Sequence, residues 1–546
     1  TAERHGKRVI LVRYPTSWPP MIERGVVVDG YACPSCGDDP MEIAPCLCYT
    51  TGVGRLSQRV EFDLAKGWKN APESALPPIE AEIRITPKKG WSPFRPDNKL
   101  IEWDEEHSVR YHALLVATTK EGYDTLVISP NKDAALAVAT LKEGGWSPWI
   151  TADFRARGSP VKGSFRFKLM ELTRDARGFA LYRSQVYPVE GWAYPNPVCQ
   201  ELIEKVGYFI PQASPEPWAS LWCDVTLFLE EARDQAMWLA KAVVYLMGSK
   251  GGDLAMLQWH SPDHCKHAWW GGLDPSSPSY DPEKADGYWD VMERDYGIAD
   301  EMIGYILDRV DMDDTAVMVV SDHGHVPSLK SVFTNRALAR AGLLKVKEDG
   351  SIDWEETRAV DQAGIWGISR SVHVYVNLKG RDPTGVVEPG EEYEEVRREV
   401  ISTLYGIRDP DTGKCPVTMA LRREDAGIIG LGGDRVGDVV YLLEPEYHTG
   451  TAITPLDGPL VERVTVSTLW GLSGSHHGQS LPTARAGVGT HEAVFIACGS
   501  GIKRGYRRPR PVSLRDVAPT VARLLGIPAP PQAQGIPLYD MLEESV

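Results

Sequence analysis

From about residue 206 to the C-terminus, short apolar runs alternate with amphipathic helical patterns. "DLAMLQW" precedes "YWDVMERDYGIADEMIGYILDRV", "AVMVVSD" comes after that helix, and "EAVFIAC" later precedes "SLRDVAPTVARLLGI". This alternation leaves few folds open, because strands joined through helices lie parallel and are covered on both faces. The expected class is α/β, a mostly parallel sheet between helices, with "RVILVRY" near the start as a further strand. Two regions break the pattern. Residues 31–205 are rich in Pro, Gly and Trp and carry "EAEIRIT", "TLVIS" and "GSFRFKLMEL", which reads as a β-rich insertion. Residues 345–450, with "HVYVNLKG", "EEYEEVRREVISTLYGI" and "DVVYLLEP", read as a smaller α+β insertion. Segments 1–30, 206–344 and 451–546 are assigned to the α/β core.

Sheets of this kind hold their chemistry at the carboxyl ends of the strands. Ala316 to Val320 is read as a strand buried on both faces, and it runs into "SDHGH". Asp322 and His323 are adjacent candidate metal ligands, and Gly324 lets the backbone turn sharply beside them. After "DLAMLQ" comes "WHSPDHCKHAWW", where Asp263 and His267 stand four apart, one turn on a helix, with His260 and His264 nearby. His264 is read as an exposed neighbour. A third cluster, "SGSHHGQS", places His476 and His477 in a Gly/Ser loop. Three Asp/His clusters behind three apolar strands can converge at one sheet edge. Carboxylate and imidazole without thiolate suit zinc or manganese in a site with open positions. Two such ions about 4 Å apart clamp the attacking and leaving oxygens of a displacement at phosphorus.

Charge then matters. Acidic residues outnumber basic ones 75 to 59, giving −16, which argues against a nucleic-acid-coating protein and means that an anionic substrate needs a local cation. No apolar run approaches the roughly 20 residues of a membrane span, and "MWLAKAVVYLMG" is read as a core helix. Nine scattered cysteines point to a reducing, cytoplasmic compartment rather than a disulfide scaffold. Among them Cys33, Cys36, Cys46 and Cys48 have spacing compatible with a structural zinc, with free thiols or disulfides as the other readings. His325 is placed either against a substrate oxygen or on the surface, while His373 and His491 sit in strand patterns as structural residues.

"SDHG", "PDHCKH", the late "GSH" and the ending "VSLRDVAPTVARLLGIPAP" resemble the alkaline phosphatase superfamily, and within it the type I phosphodiesterase/nucleotide pyrophosphatase group. The resemblance extends to "RVILVRYPTSWPP", "GSFRFKLMEL" and "YVNLKGRDPTGVVEPGEEYEEV", so it spans nearly the whole chain. It implies an alkaline-phosphatase-like fold and a two-metal hydrolase of phosphate esters, acting on phosphodiester or nucleotide pyrophosphate bonds through a Thr or Ser nucleophile and a phospho-enzyme. By that resemblance Asp263, His267 and His476, with His477 as the alternative to His476, bind one ion, and Asp322 and His323 bind the other. Such enzymes begin with a strand ending in Asp-Gly, with the nucleophile downstream of it. This sequence opens at "TAERHGKRV", which matches the helix and strand located beyond the nucleophile in the family. The nucleophile and one Asp ligand are therefore expected outside this sequence, on a companion polypeptide or a cleaved fragment. Two in-chain alternatives are Asp29 with Thr50 or Thr51, and Thr1 with its own amine as base. Outside hydrolysis, the alternatives are a partner-dependent non-catalytic subunit, a phosphomutase, or a sulfatase, whose Cys/Ser-x-Pro-x-Arg motif does not occur here.

Overall fold

The computed structural model describes residues 1–30, 41–52, 57–88, 108–156, 159–211, 225–362, 373–464, 475–477 and 492–544, without the side chains of Ala156, Pro327 and His476. The protein is mixed α/β and separates into two compact units: Thr1–His264 with Val291–Val317 and Ala497–Val546, and Cys265–Asp290 with Met318–Ile496.

The first unit is built on a four-stranded sheet in the order Ala193–Tyr194, Val26–Val28, Val9–Val12, Leu254–Leu257. Val9–Val12 pairs in parallel with both neighbours, setting Ile10 against Val26 and Ala255, while Ala193–Tyr194 runs antiparallel at the edge. The aliphatic runs dictate this arrangement. Ile10, Val12, Val27 and Val28 are completely buried, as β-branched residues on a covered strand should be. Helix Val225–Lys250, which contains the run read as a core helix, contributes Trp238, Leu239, Ala242 and Leu246 to the same apolar cluster as Ile10, Val12 and Val28. At about 25 cal/mol per Å² of apolar surface, each fully buried aliphatic side chain there stabilises by about 1.5–3 kcal/mol.

The described part of 31–205 is dominated by antiparallel strands. A five-stranded sheet, Asp63–Leu64, Ile79–Ile85, Val109–Val116, Thr125–Ser129 and Ala139–Leu141, shares a core with Phe165, Phe167, Phe179 and Leu181. Along Ile79–Ile85, Ala81, Ile83 and Ile85 are buried while Glu82 and Arg84 are exposed, the period of two that one covered face imposes.

In the second unit a four-stranded sheet runs Ala359–Asp361, His373–Val376, Val439–Leu443, Val417–Arg422, antiparallel throughout. Helix Glu391–Gly406 lays Val396, Val400 and Leu404 into one cluster with Val374, Val376 and Tyr441. Three acidic residues in its first turn favour the positive end of the helix dipole.

The parallel character expected of the sheets holds for Val26–Val28, Val9–Val12 and Leu254–Leu257, and it does not hold for Ala316–Val320. That strand pairs with Phe495–Gly499, and the bonds Ser500 N to Thr315 O and Ser321 N to Val494 O run in opposite chain order, so the pair is antiparallel. Nor is the strand covered on both faces. Its residues are half-buried and Val320 is 40% exposed, because among the described residues it has a single strand neighbour. Among the described residues no helix is long and apolar enough to cross a membrane.

Candidate functional site

Helix Ser261–Trp269 carries one half of the Asp/His chemistry. Its start is dictated locally: Pro262 fits the first turn, Asp263 there and His267 in the last turn suit the helix dipole, and the Ser261 hydroxyl donates to Asp295 Oδ1 at 2.6 Å. The helical repeat sets Asp263 and His267 on one face, a rise of about 6 Å apart. It does the same for His260 and His264. His264 is corrected from exposed to buried, at 3% exposure, because that second face turns inward against the ring of His260.

Within the second unit, His267, His325 and His477 gather. Their ring centroids are 4.7 Å apart for His267 and His325, 5.1 Å for His267 and His477, and 5.2 Å for His325 and His477. One ring nitrogen of each lies within 4.8 Å of the others. The backbone explains the meeting of two of them. Val326–Pro327 pairs antiparallel with Ser475–His476, Val326 opposite His476, so the next pair along the ladder is His325 and His477. His323 stacks on His477 at 3.6 Å.

The hydrogen bonds fix which nitrogen of these rings is basic. His267 Nδ1 donates to the Ser475 carbonyl at 3.2 Å, and His323 Nδ1 donates to the Gly324 carbonyl at 3.1 Å. A carbonyl only accepts, so the proton sits on Nδ1 and the lone pair on Nε2. Metal-ligating histidines are held in this way, with the second nitrogen tied to a backbone carbonyl. The donor set therefore fits a divalent cation. His325 Nδ1 meets the Ser475 hydroxyl at 2.7 Å, which brings a third imidazole to the same backbone position.

Of the remaining candidates, Asp322 is largely exposed, its Oδ2 is 3.4 Å from His323 Nε2, and its Oδ1 accepts from the His323 backbone at 3.1 Å. His476 is placed by its backbone alone, and its side chain lies outside the described residues, as do Cys33, Cys36 and His491. Cys46 and Cys48 lie in or beside strand Leu47–Thr50. Cys46 packs with Tyr182 and Leu227, and burial pushes the Cys48 thiol up to about 12. Thr51 Oγ1 donates to the Arg177 carbonyl at 2.6 Å and accepts from Phe179 N at 3.1 Å, tying the strand's end to its neighbour Phe179–Arg183, while Thr50 Oγ1 accepts from Gly52 N in the turn that follows. Thr1 is exposed, just before the short helix Glu3–His5. Asp29, at φ 54°, takes Arg13 Nε at 3.3 Å at the ends of adjacent parallel strands. His373 accepts from Gly437 N at 3.2 Å, and burial lowers its pKa.

Sequence reasoning weighed His325 against substrate or solvent and passed over its place beside His267. The available signal was the alternation in "SDHGH", which puts His323 and His325 two apart. A family model described as type I phosphodiesterase / nucleotide pyrophosphatase matches residues 174–466, more than half of the chain, and takes in Asp263, His267, Asp322, His323 and His325. No curated protein and no solved structure gave a significant match.

Proposed function

Because the chain belongs to the type I phosphodiesterase/nucleotide pyrophosphatase family of the alkaline phosphatase superfamily, we propose that it hydrolyses phosphate esters, with phosphodiester or nucleotide pyrophosphate bonds as the substrate class. In this reading the fold is alkaline-phosphatase-like, carries a β-rich and an α+β insertion, and works with two divalent cations, zinc or manganese. Asp263 and His267 hold one with the His476–His477 pair, Asp322 and His323 hold the other, and His325 joins this set or faces the substrate.

The observation that carries the reading is the gathering of His267, His325 and His477, with the Nδ1 of His267 tied to a backbone carbonyl. That tie points the ring's lone pair away from its own backbone partner. The Ser475 segment thereby orients His267 through its carbonyl and His325 through its hydroxyl. When bound, a pair of such ions supplies positive charge at phosphoryl oxygens and generates a nucleophile from water at neutral pH. On a chain of charge −16, that local field is what draws and neutralises an anionic substrate. A Thr or Ser hydroxyl and a phospho-enzyme belong to the same reading.

The test is hydrolysis of bis(4-nitrophenyl) phosphate by the full chain before chelation, after chelation, and after return of zinc or manganese. The expected result is loss on chelation and recovery on reloading. Hydrolysis that survives complete metal removal would contradict it, as would a metal-loaded protein, purified together with any companion polypeptide, that cleaves no phosphate ester.

A further inference from the structure

The segment "KRGYRRPRPVSLR", residues 503–515, holds six Lys or Arg and no Asp or Glu, in a chain of net charge −16. It lies wholly within the first unit. Hydrogen bonds fasten it to residues 535–542. Lys503 N donates to the Met541 carbonyl at 2.9 Å, and Ile502 bridges Leu542. The Tyr506 hydroxyl and Arg508 Nε reach Asp540 Oδ2 at 3.0 and 2.7 Å, and Asp516 Oδ1 accepts from Ile536 N at 3.0 Å. Asp540 thus takes Arg508, whereas Lys503, Arg504, Arg507, Arg510 and Arg515 form no ion pair among the described residues. On the same two segments four large apolar side chains face water: Ile536 at 68% exposure, Tyr539 at 61%, Leu514 at 52% and Tyr506 at 42%. Exposed apolar residues scattered singly are ordinary. Four on segments bonded to one another, interleaved with cations, mark an interaction surface.

We propose that this surface docks the protein peripherally on an anionic membrane, with the cations against lipid phosphates and Ile536, Leu514 and the two tyrosines entering the headgroup boundary. Cations alone would serve any polyanion. Ile536 and Leu514 offer nothing to a nucleic acid or a sulfated polysaccharide, but aliphatic side chains beside Lys and Arg gain from the edge of the acyl layer. Tyr539 suits the same depth, with its ring inward and its hydroxyl in water. Charge selects the face. An anionic surface repels the acidic remainder of the chain, so the approach is made through the basic run. The nearby carboxylates do not cancel it: Asp540 is taken by Arg508, Asp516 by the Ile536 amide, and Glu543 is bonded through its backbone to Gly501, beside the start of the run.

The experiment is co-sedimentation of the full chain with vesicles of phosphatidylcholine alone, and of phosphatidylcholine with phosphatidylserine in roughly equal parts. A chelator is present, so that no phosphodiester headgroup is held by a metal, and the readout is independent of the proposed hydrolysis. Wild type is compared with Arg504→Ser/Arg507→Ser and with Leu514→Ser/Ile536→Ser, each with a thermal melt. Wild type is expected on the phosphatidylserine vesicles alone and released by raised salt. Loss of two cations should weaken binding about 20- to 30-fold, at about 5-fold for each. Loss of the two aliphatic side chains should weaken it at least about 10-fold with the salt dependence kept. All four positions are exposed, so the melts should match wild type. If either double variant is unfolded, Arg510→Ser or Tyr539→Ser takes its place. A wild-type chain that stays in solution with both vesicles overturns the proposal, as does equal binding to phosphatidylcholine alone. Full-strength binding in the Leu514→Ser/Ile536→Ser variant, with heparin bound as tightly as the vesicles, also overturns it, by making the surface a site for soluble polyanions.

Discussion

Two polar centres of the second unit, Asp438 and the histidines around His267, obey opposite logic. Asp438 is completely buried at the head of strand Val439–Leu443, and the protein itself completes it. Arg381 reaches its two oxygens with NH1 and NH2 at 2.8 Å each, Arg423 NH2 contacts Oδ1 at 2.6 Å, the Tyr393 hydroxyl donates at 2.7 Å, and Val376 N donates at 2.7 Å. Burial alone would raise its pKa, but the guanidinium of Arg381, the Val376 amide and the Tyr393 hydroxyl outweigh burial and hold it below the usual carboxylate range. At His267, His325 and His477, by contrast, imidazoles meet imidazoles. A buried charge balanced by its own neighbours is scaffold. Basic nitrogens collected in one place become useful when something positive arrives from outside.

This contrast can be broken or sharpened by substitution. The largest expected effect is His267→Ala, which should lower phosphodiesterase activity by at least about 100-fold, beyond what loss of an outer partner costs, while moving the melting temperature little. Asp438→Ala should do the reverse. It leaves the buried Val376 amide and the Tyr393 hydroxyl without their acceptor and takes a shared partner from the part-exposed Arg381 and Arg423, so chemical denaturation should show a loss of about 1–3 kcal/mol with metal content unchanged. Acid should act on the same centre. Because the folded pKa of Asp438 is depressed, its stabilisation is fully present above about pH 4, the unfolded value, and is lost as pH falls through the lower folded value. Asp409 adds in the same direction: burial would raise it, but Lys330 and Tyr447 hold it down. A melting temperature flat from about pH 7 to 4.5 and falling steeply below about pH 4 is expected, with the fall reduced in Asp438→Asn. The smallest effect is Thr51→Ala, expected to cost about 1 kcal/mol through its two hydrogen bonds and to leave turnover unchanged. A loss of turnover on the order of 100-fold would instead make Thr51 the nucleophile.

The helices were readable because their apolar spacing is a local property. "EEYEEVRREVISTLYGI" carries Val396, Val400 and Leu404 at helical intervals, and "PDHCKH" sits on the helix its i, i+4 spacing implied. The site was readable only in pieces. His267 and His325 are 58 positions apart and His325 and His477 are 152 apart, and their meeting depends on a two-residue ladder at Val326 and Ser475 that no periodicity announces. Asp438 was hidden for the same reason, since "VGDVV" looks like any strand entrance and Arg381 is 57 residues away. The burial of His264 depends on which helix face turns inward, a tertiary fact that adjacency to Asp263 did not reveal.

The central claim is that the gathered histidines are a metal centre, and metal analysis of the purified full chain tests it most directly. Wild type should carry about two zinc or manganese ions per chain, and His267→Ala, His325→Ala and His477→Ala should each carry fewer, with Asp438→Asn retaining the wild-type amount. A wild-type chain that binds no divalent ion after zinc loading, or three histidine variants with undiminished metal, would contradict the account.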